Sequence, residues 1–593
     1  MIKLSDYVAK RLKEVYNIDC VFMISGGGAM HLNDSFGKYI PYVCNHHEQA
    51  CSMAAEGYAR TNQKLAVVNV TTGPGGLNCL NGVFGQWTDS APVLYISGQV
   101  KYSTTMASCP QIPLRQLGDQ EVDIISVVKS LTKYSVMLTN PDDIEYVIDK
   151  AVYIATHGRK GPVWIDIPIN LQAVIIDETK LRKYNPDEDK VVLPDIEKEI
   201  EQTLELLKNS KRPLIVAGHG IRLANAKKEF LKLVEKLNIP VVTTLNGFDI
   251  IPHNNKNFIA RIGTVANRAG NFALQNADLV ISIGSRNNIR QVSYNWENFA
   301  KNAKIVSVDI DKAELDKPTI KPDIKIHADA KDFINRFTLK AEDKKCEEWA
   351  YFCKMLKDKY PPVKEAYRGA NNPIEPYSFF DKLIEQFKDN EIVVCGNGTA
   401  FFLPFQVGKV KENQRYIWNS GDASMGYALS ASIGAAKASG ADRVICIEGD
   451  GSIMMNIQEL QTVVTNKLPI KLFVLNNDGY ISIKQTQTNF FDGKLTACSK
   501  QSGVEIPDFV KIGQAFGLKT VKIDNPNNLE TQIQNVLNSY GAVLCEVVLN
   551  PDYVFAPKLS AKKLPDGSMV SPSIEDMSPF LSEEEYKSNI YKK

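Results

Sequence analysis

The run Val444-Ile445-Cys446-Ile447-Glu448-Gly449-Asp450-Gly451-Ser452 is followed, after a helical stretch and Pro469, by Leu472-Phe473-Val474-Leu475-Asn476-Asn477-Asp478-Gly479-Tyr480. Each half is a short apolar run that stops in a polar, glycine-containing turn. Between them Ile453, Ile457, Leu460 and Val464 recur at the spacing of one buried helix face. Strand, helix and strand in one sheet make a right-handed parallel crossover. Both polar turns then fall at the carboxyl ends of neighbouring strands, where open α/β sheets take their ligands. Asp450 and Asn477 would face one point from two loops. Two oxygen ligands suit a hard cation, and Mg²⁺ typically completes its shell with phosphate oxygens and water. Either turn alone is ordinary turn chemistry. The pair, with 24 residues between Gly451 and Asn476, is far more specific.

Working outward, 593 residues predict three or four domains at ~150 residues each. The apolar share of 44% and charged share of 23% are those of a globular protein. A net charge of +1 gives no electrostatic case for nucleic acid or an anionic membrane as partner. The 11 cysteines form no CxxC pair, which predicts reduced thiols in a cytoplasmic protein. No apolar run approaches the ~20 residues of a membrane span. Met1 to Val15 reads as an amphipathic first helix and not as a signal peptide, so a soluble protein is expected.

Strands alternate with helical patterns throughout, predicting an α/β protein of three doubly wound parallel-sheet domains. The first, residues 1–183, has strand candidates Leu65–Val70 and Val93–Ser97 and glycine-rich turns at Gly26-Gly27-Gly28 and Gly73-Pro74-Gly75-Gly76. Glu48, just before a small-residue helix, reads by itself as a carboxylate stabilised at a helix N-terminus. The second domain, residues 194–340, has strand candidates Leu214–Ala217, Val241–Thr244, Leu279–Ile283 and Ile305–Val308. Gly218-His219-Gly220 lacks the third glycine and the later acid of a dinucleotide fingerprint. The third domain, residues 361–550, carries Cys395-Gly396-Asn397-Gly398-Thr399, a turn able to cradle phosphate, and then the Asp450 and Asn477 turns. Residues 551–593 show no strand pattern, but Val554, Phe555, Met569, Met577 and Phe580 predict a tail that packs near the site.

The GDG and NN turns at this separation resemble the metal and diphosphate motif of thiamine-diphosphate enzymes. The run HHEQACSMAAEGYAR with TTGPGG and DSAPVLYISGQV resembles the pyrimidine domain of the acetolactate synthase group, and the likeness extends over about Ser5 to Asn550. It implies the cofactors thiamine diphosphate and Mg²⁺, with Asp450, Asn477 and Gly479 as metal ligands. It implies cofactor contacts at Gly73, Asn397, Gly398, Thr399, Ser424, Met425, Gly451, Ser452, Tyr480 and Ile481, Met425 being the apolar prop beneath a bent cofactor. Glu48 would sit at N1′ of the aminopyrimidine, and Gln120 near the reacting centre, although the family's preceding phenylalanine is Asp119 here. Arg286 and Arg290 match arginines of a middle domain that holds FAD in many members. The acidic pair between them is Asn287-Asn288, which leaves FAD and another adenine nucleotide both open, and Arg286 reads equally as a solvated loop residue. The resemblance also implies a homo-oligomer, dimer or dimer of dimers, with active sites between subunits.

Within that group the acceptor is the point of departure. Acetolactate synthases have a tryptophan in the helix after NN, where this chain has Thr486; true decarboxylases have a glutamate where it has Ile483. Gly28, Ser482, Gln485 and Thr486 are therefore expected around the substrate. The motifs RQLGDQEVDI, NNDGYISIKQTQ and SPSIEDMSPFL resemble a subgroup from bacterial surface-polysaccharide gene clusters. That likeness implies transfer of a two-carbon unit from pyruvate to a nucleotide-linked keto sugar. Acetolactate synthase proper, a decarboxylase or 2-hydroxyacyl lyase, and a non-catalytic relative are the alternatives.

Overall fold

Uninterrupted runs of Val, Ile and Leu need cover on both faces, and parallel sheets flanked by helices supply it. The computed structural model describes residues 1–368, 372–563, 566 and 568–592 and contains three six-stranded sheets whose internal pairs are all parallel. With the strands of each domain counted in chain order, the amino- and carboxyl-terminal sheets share one order, 2-1-3-4-6-5. The central sheet runs 3-2-1-4-5-6, the order of doubly wound nucleotide-binding folds. In the outer sheets the connections first leave to opposite sides between the first and third strands, and in the central sheet between the first and fourth; there a crevice opens at the carboxyl edge.

In the carboxyl-terminal sheet, Val444–Gly449 pairs with Ile470–Asn476 in the register Val444↔Ile470 to Gly449↔Leu475, so the two strands end level. The expected crossover is present, but its helix is broken. Asp450–Ile453 and Glu459–Thr465 are separated by turns at Met454–Gln458. Asn456 turns inward and donates Nδ2 to Gly426 O at 3.1 Å, while Glu459 accepts from His46 N at 2.9 Å and Asn45 Nδ2 at 2.8 Å. The break shifts the register, so Val463, and not the expected Val464, is buried beside Leu460.

The outer domains share one core through the helices Glu48–Asn62 and Tyr427–Ser439. Small residues let the backbones meet. A Cβ at Gly434 would lie 1.7 Å from Ala54 O, and one at Gly57 2.0 Å from Ala431 O. Gly434→Val should therefore force the helices apart and cost about 3 kcal/mol. Chemical denaturation measures this, and an unchanged midpoint would show that the seam tolerates a side chain.

The tail leaves the third domain and crosses to the second. Tyr377 Oη accepts from Ala556 N at 2.8 Å, Leu559 N donates to Thr264 O at 2.7 Å, and Asn276 Nδ2 donates to Asn589 O at 2.9 Å. Among the described residues no helix is long and apolar enough to cross a membrane.

Candidate active site

The first and third strands of the carboxyl-terminal domain are neighbours, and the loops that leave them carry Asn397–Thr399 and Asp450–Ser452. Asp450 starts its short helix directly after the strand and is 2% exposed. Three backbone amides donate to its carboxylate: Gly451 N at 2.7 Å, and Asn477 N and Gly479 N at 3.0 Å each. Burial pushes the Asp450 carboxyl up to about 6 against the pull of these amides. A positive charge beside it would favour the ionised form.

Asn477, 4% exposed, donates Nδ2 to Thr399 Oγ1 at 3.0 Å. Its Oδ1 is buried and has no hydrogen-bond partner among the described residues. A buried acceptor left unpaired costs about 1–3 kcal/mol. An oxygen-seeking cation would satisfy that oxygen and the Asp450 charge together, so this pair fits Mg²⁺. Gly479 takes φ +108°, and a Cβ there would stand 2.6 Å from Cys498 O; this backbone turn aims its N–H at Asp450. Its carbonyl accepts from Ile481 N at 3.0 Å and keeps a second lone pair.

Around this pair, Gly398 starts the helix Thr399–Val407 at φ +55°, and Asn397 Nδ2 donates to Ala423 O at 2.9 Å. Ser452 Oγ accepts from Gly426 N at 2.9 Å, fixing the turn that holds half-buried Met425, and Ser424 Oγ donates to Met425 O at 3.2 Å. Tyr480 precedes the helix Ile481–Phe490, and its ring fills the space a side chain at Gly451 would need. On that helix Ser482 Oγ is buried without a partner among the described residues, while Thr486 is exposed and donates Oγ1 to Ser482 O at 2.9 Å. Gln485, on the same helix, turns toward the tail. Its Nε2 donates to Tyr553 O at 2.9 Å and its Oε1 accepts from Phe555 N at 3.5 Å, so the amide is committed to the tail.

The amino-terminal domain builds the second cluster at the equivalent edge. His47 caps the Glu48 helix, its Nδ1 accepting from Gln49 N at 3.0 Å. Half-buried Glu48 accepts from Asn78 Nδ2 at 2.9 Å. Gly28 N donates to Thr71 Oγ1 at 3.1 Å. Gly73 and Gln120, both at positive φ, meet so closely that a Cβ at Gly73 would lie 2.2 Å from Gln120 O. Among the described residues no hydrogen bond joins these four to the Asp450 cluster, so each cluster stands on its own sheet.

Two contributors escaped the sequence reading: Asn78, the partner of Glu48, and Tyr553, whose hydroxyl is hydrogen-bonded to Thr399. The Pro551-Asp552-Tyr553 turn gave no periodic signal that could have linked it to a loop about 150 residues earlier. In the central domain a cavity lies at the switch point, lined by His219, Gly220, Gly284, Asn287 and Asp309 and closed by Thr88 to Ser90. Arg286 reaches across it to donate to Thr88 O.

One of the twin outer sheets presents the buried Asp450 carboxylate beside Asn477, and the other a glutamate at a helix start. Family models match in order along the chain: thiamine pyrophosphate enzyme, N-terminal TPP binding domain, at residues 2–127; central domain at 200–337; and C-terminal TPP binding domain at 396–547. The protein is a thiamine-pyrophosphate enzyme. Among curated relatives it is similar to a probable acetolactate synthase large subunit of Methanococcus aeolicus, 30% identical over 95% of this chain and 94% of that protein. It is likewise similar to the acetolactate synthase large subunit of Lactococcus lactis, 30% identical over 94% of each, and to isozyme 1 of Escherichia coli, 29% identical over 91% and 92%. Within the class the chain belongs to the acetolactate synthase large-subunit type, a family of carboligases.

Proposed function

We propose that this chain decarboxylates pyruvate and transfers the two-carbon unit to a carbonyl acceptor, a nucleotide-linked keto sugar. The observation that carries the metal half of this reading is the buried Asp450 carboxylate beside an Asn477 Oδ1 with no partner. Asp450, Asn477 and the Gly479 carbonyl would hold Mg²⁺ against the cofactor's diphosphate, with Asn397, Gly398, Thr399 and Ser452 around the phosphates. Thiamine diphosphate, when bound, supplies an electron sink at its thiazolium C2. Glu48 would hold and move a proton at pyrimidine N1′, Met425 would prop the ring system, and Gly73 would be a further cofactor contact. Gln120, on its exposed loop, would face the reacting carbonyl from the amino-terminal side. The central cavity is where an adenine nucleotide, FAD included, would sit.

Two clusters on separate sheets favour a site completed by a second copy. Leu77 beside Asn78, Phe84 and Trp87 on the helix that follows, and Met454 and Met455 after the Asp450 helix are exposed. A homodimer that pairs these surfaces would cover both sets and bring Glu48 of one copy to Asp450 of the other.

What favours a large, hydroxylated acceptor is the helix Ile481–Phe490. Thr486 stands exposed where an indole would narrow the mouth, one turn from the unpaired Ser482 hydroxyl. A site whose polar groups await a substrate hydroxyl discriminates against acceptors without one. With pyruvate alone, acetolactate is expected only as a slow side product; adding a nucleotide keto sugar should yield a branched sugar two carbons larger. Thr486→Trp should lower the ratio of branched sugar to acetolactate by at least about tenfold, read by mass spectrometry. Rapid acetolactate formation with no use of any nucleotide keto sugar would make the chain an acetolactate synthase proper.

A further inference from the structure

We infer that Tyr553, in the tail, is a positioning residue for Asn477, so that docking of the tail and binding of the cation are coupled. This rests on the metal assignment proposed above. An asparagine amide is nearly symmetric in shape, and only its hydrogen bonds decide whether oxygen or nitrogen faces a neighbour. Asn477 is fixed by one such bond, Nδ2 to Thr399 Oγ1 at 3.0 Å, which leaves Oδ1 for the cation. Thr399 is itself 3% exposed, and its hydroxyl is held by the Tyr553 hydroxyl, which makes no other hydrogen bond among the described residues. Tyr553 thus stands one residue behind the amide, and the order is Tyr553, Thr399, Asn477, cation. Groups that orient a metal ligand from behind set its affinity nearly as the ligand does.

The tail around Tyr553 is anchored on both sides. Gln485 grips the backbone on both sides of Val554, Tyr377 Oη accepts from Ala556 N at 2.8 Å, and Gln406 Nε2 donates to Pro557 O at 2.6 Å. Beyond, Asn271 Nδ2 donates to Ile574 O at 3.0 Å on the central domain. The position of one hydroxyl beside the metal site is therefore set by the carboxyl-terminal domain's hold on the tail, which continues onto the central domain at Leu559 and Ile574. By linkage, cation and cofactor must in turn stabilise the docked tail by the same factor.

The test uses the full-length chain with thiamine diphosphate and Mn²⁺, whose free concentration is read by electron paramagnetic resonance. Tyr553→Phe keeps the ring, which packs edge-on to Phe555 at 5.3 Å, and removes only the hydroxyl. It should weaken Mn²⁺ binding about tenfold. Tyr377→Phe, which loosens the tail without touching Thr399 or Asn477, should weaken it in the same direction by less. In the wild type, Mn²⁺ with cofactor should slow hydrogen exchange at the Phe555 and Leu559 amides, and in Tyr553→Phe that protection should be smaller. Mn²⁺ affinity and tail protection in Tyr553→Phe equal to wild type would overturn the inference and leave the metal assignment standing. A wild type that binds no Mn²⁺ with thiamine diphosphate would instead remove the metal assignment, and the inference with it.

Discussion

Asp450→Ala should abolish cation-dependent binding of thiamine diphosphate. The diphosphate would lose the ion that neutralises it, and stripping one partner from a buried charge pair costs about 3–5 kcal/mol. That corresponds to roughly 10²–10⁴-fold in affinity. The same change leaves the Gly451, Asn477 and Gly479 amides without an acceptor, so some stability is lost too. Asp450→Asn separates the effects, since it keeps the shape and offers one oxygen but no charge. Asn477→Ala should cost about tenfold, because water can replace a neutral ligand. Titration calorimetry with and without Mg²⁺ measures all three. Equal affinity in wild type and Asp450→Ala would end the metal assignment.

Glu48→Gln should slow proton exchange at the cofactor's C2 by about 10²–10⁴-fold, the usual contribution of one positioned acid–base group. The fold should survive, because glutamine can still accept from Asn78 Nδ2 through its own amide oxygen. Exchange followed by NMR in deuterated buffer gives the rate, and an unchanged rate would take Glu48 out of the chemistry. The same variant probes assembly. If sites are completed between copies, mixing Glu48→Gln and Asp450→Ala chains should restore a minority of activity where subunits exchange. No recovery despite proven exchange would place each site within one chain.

The parts of this fold that the sequence displays are those buried on both sides. Ala66–Val70, Pro213–Ala217 and Leu279–Ile283 read as strands because every residue needed cover. Tyr134–Met137, half-buried along its length, and Lys519–Ile523, in which only Ile523 is fully buried, lie at sheet edges and offer no such run. The helix after Asp450 was legible in kind but not in register, since the inward turn of Asn456 is a tertiary contact with Gly426 that periodicity does not encode. At the candidate site, the glycine and Asp/Asn turns at strand ends announce themselves because few residues can make them. Which cluster faces which, and the commitment of Gln485 to the tail, depend on contacts between distant segments.

The strap from Tyr553 to the central domain also fixes an order of manufacture. A chain made from its amino end gives the three sheets time to form one after another, domains folding as units while synthesis proceeds. Thr399 and Asn477 are in place by then, but the hydroxyl that steadies them belongs to a segment made later, and its moorings on Thr264 and Asn271 were made earlier still. Every domain must be finished before the strap can close. On the metal assignment and the Tyr553 role proposed above, a half-made or misassembled polypeptide would hold Asn477 loosely, and only a completed molecule would retain cation and cofactor firmly.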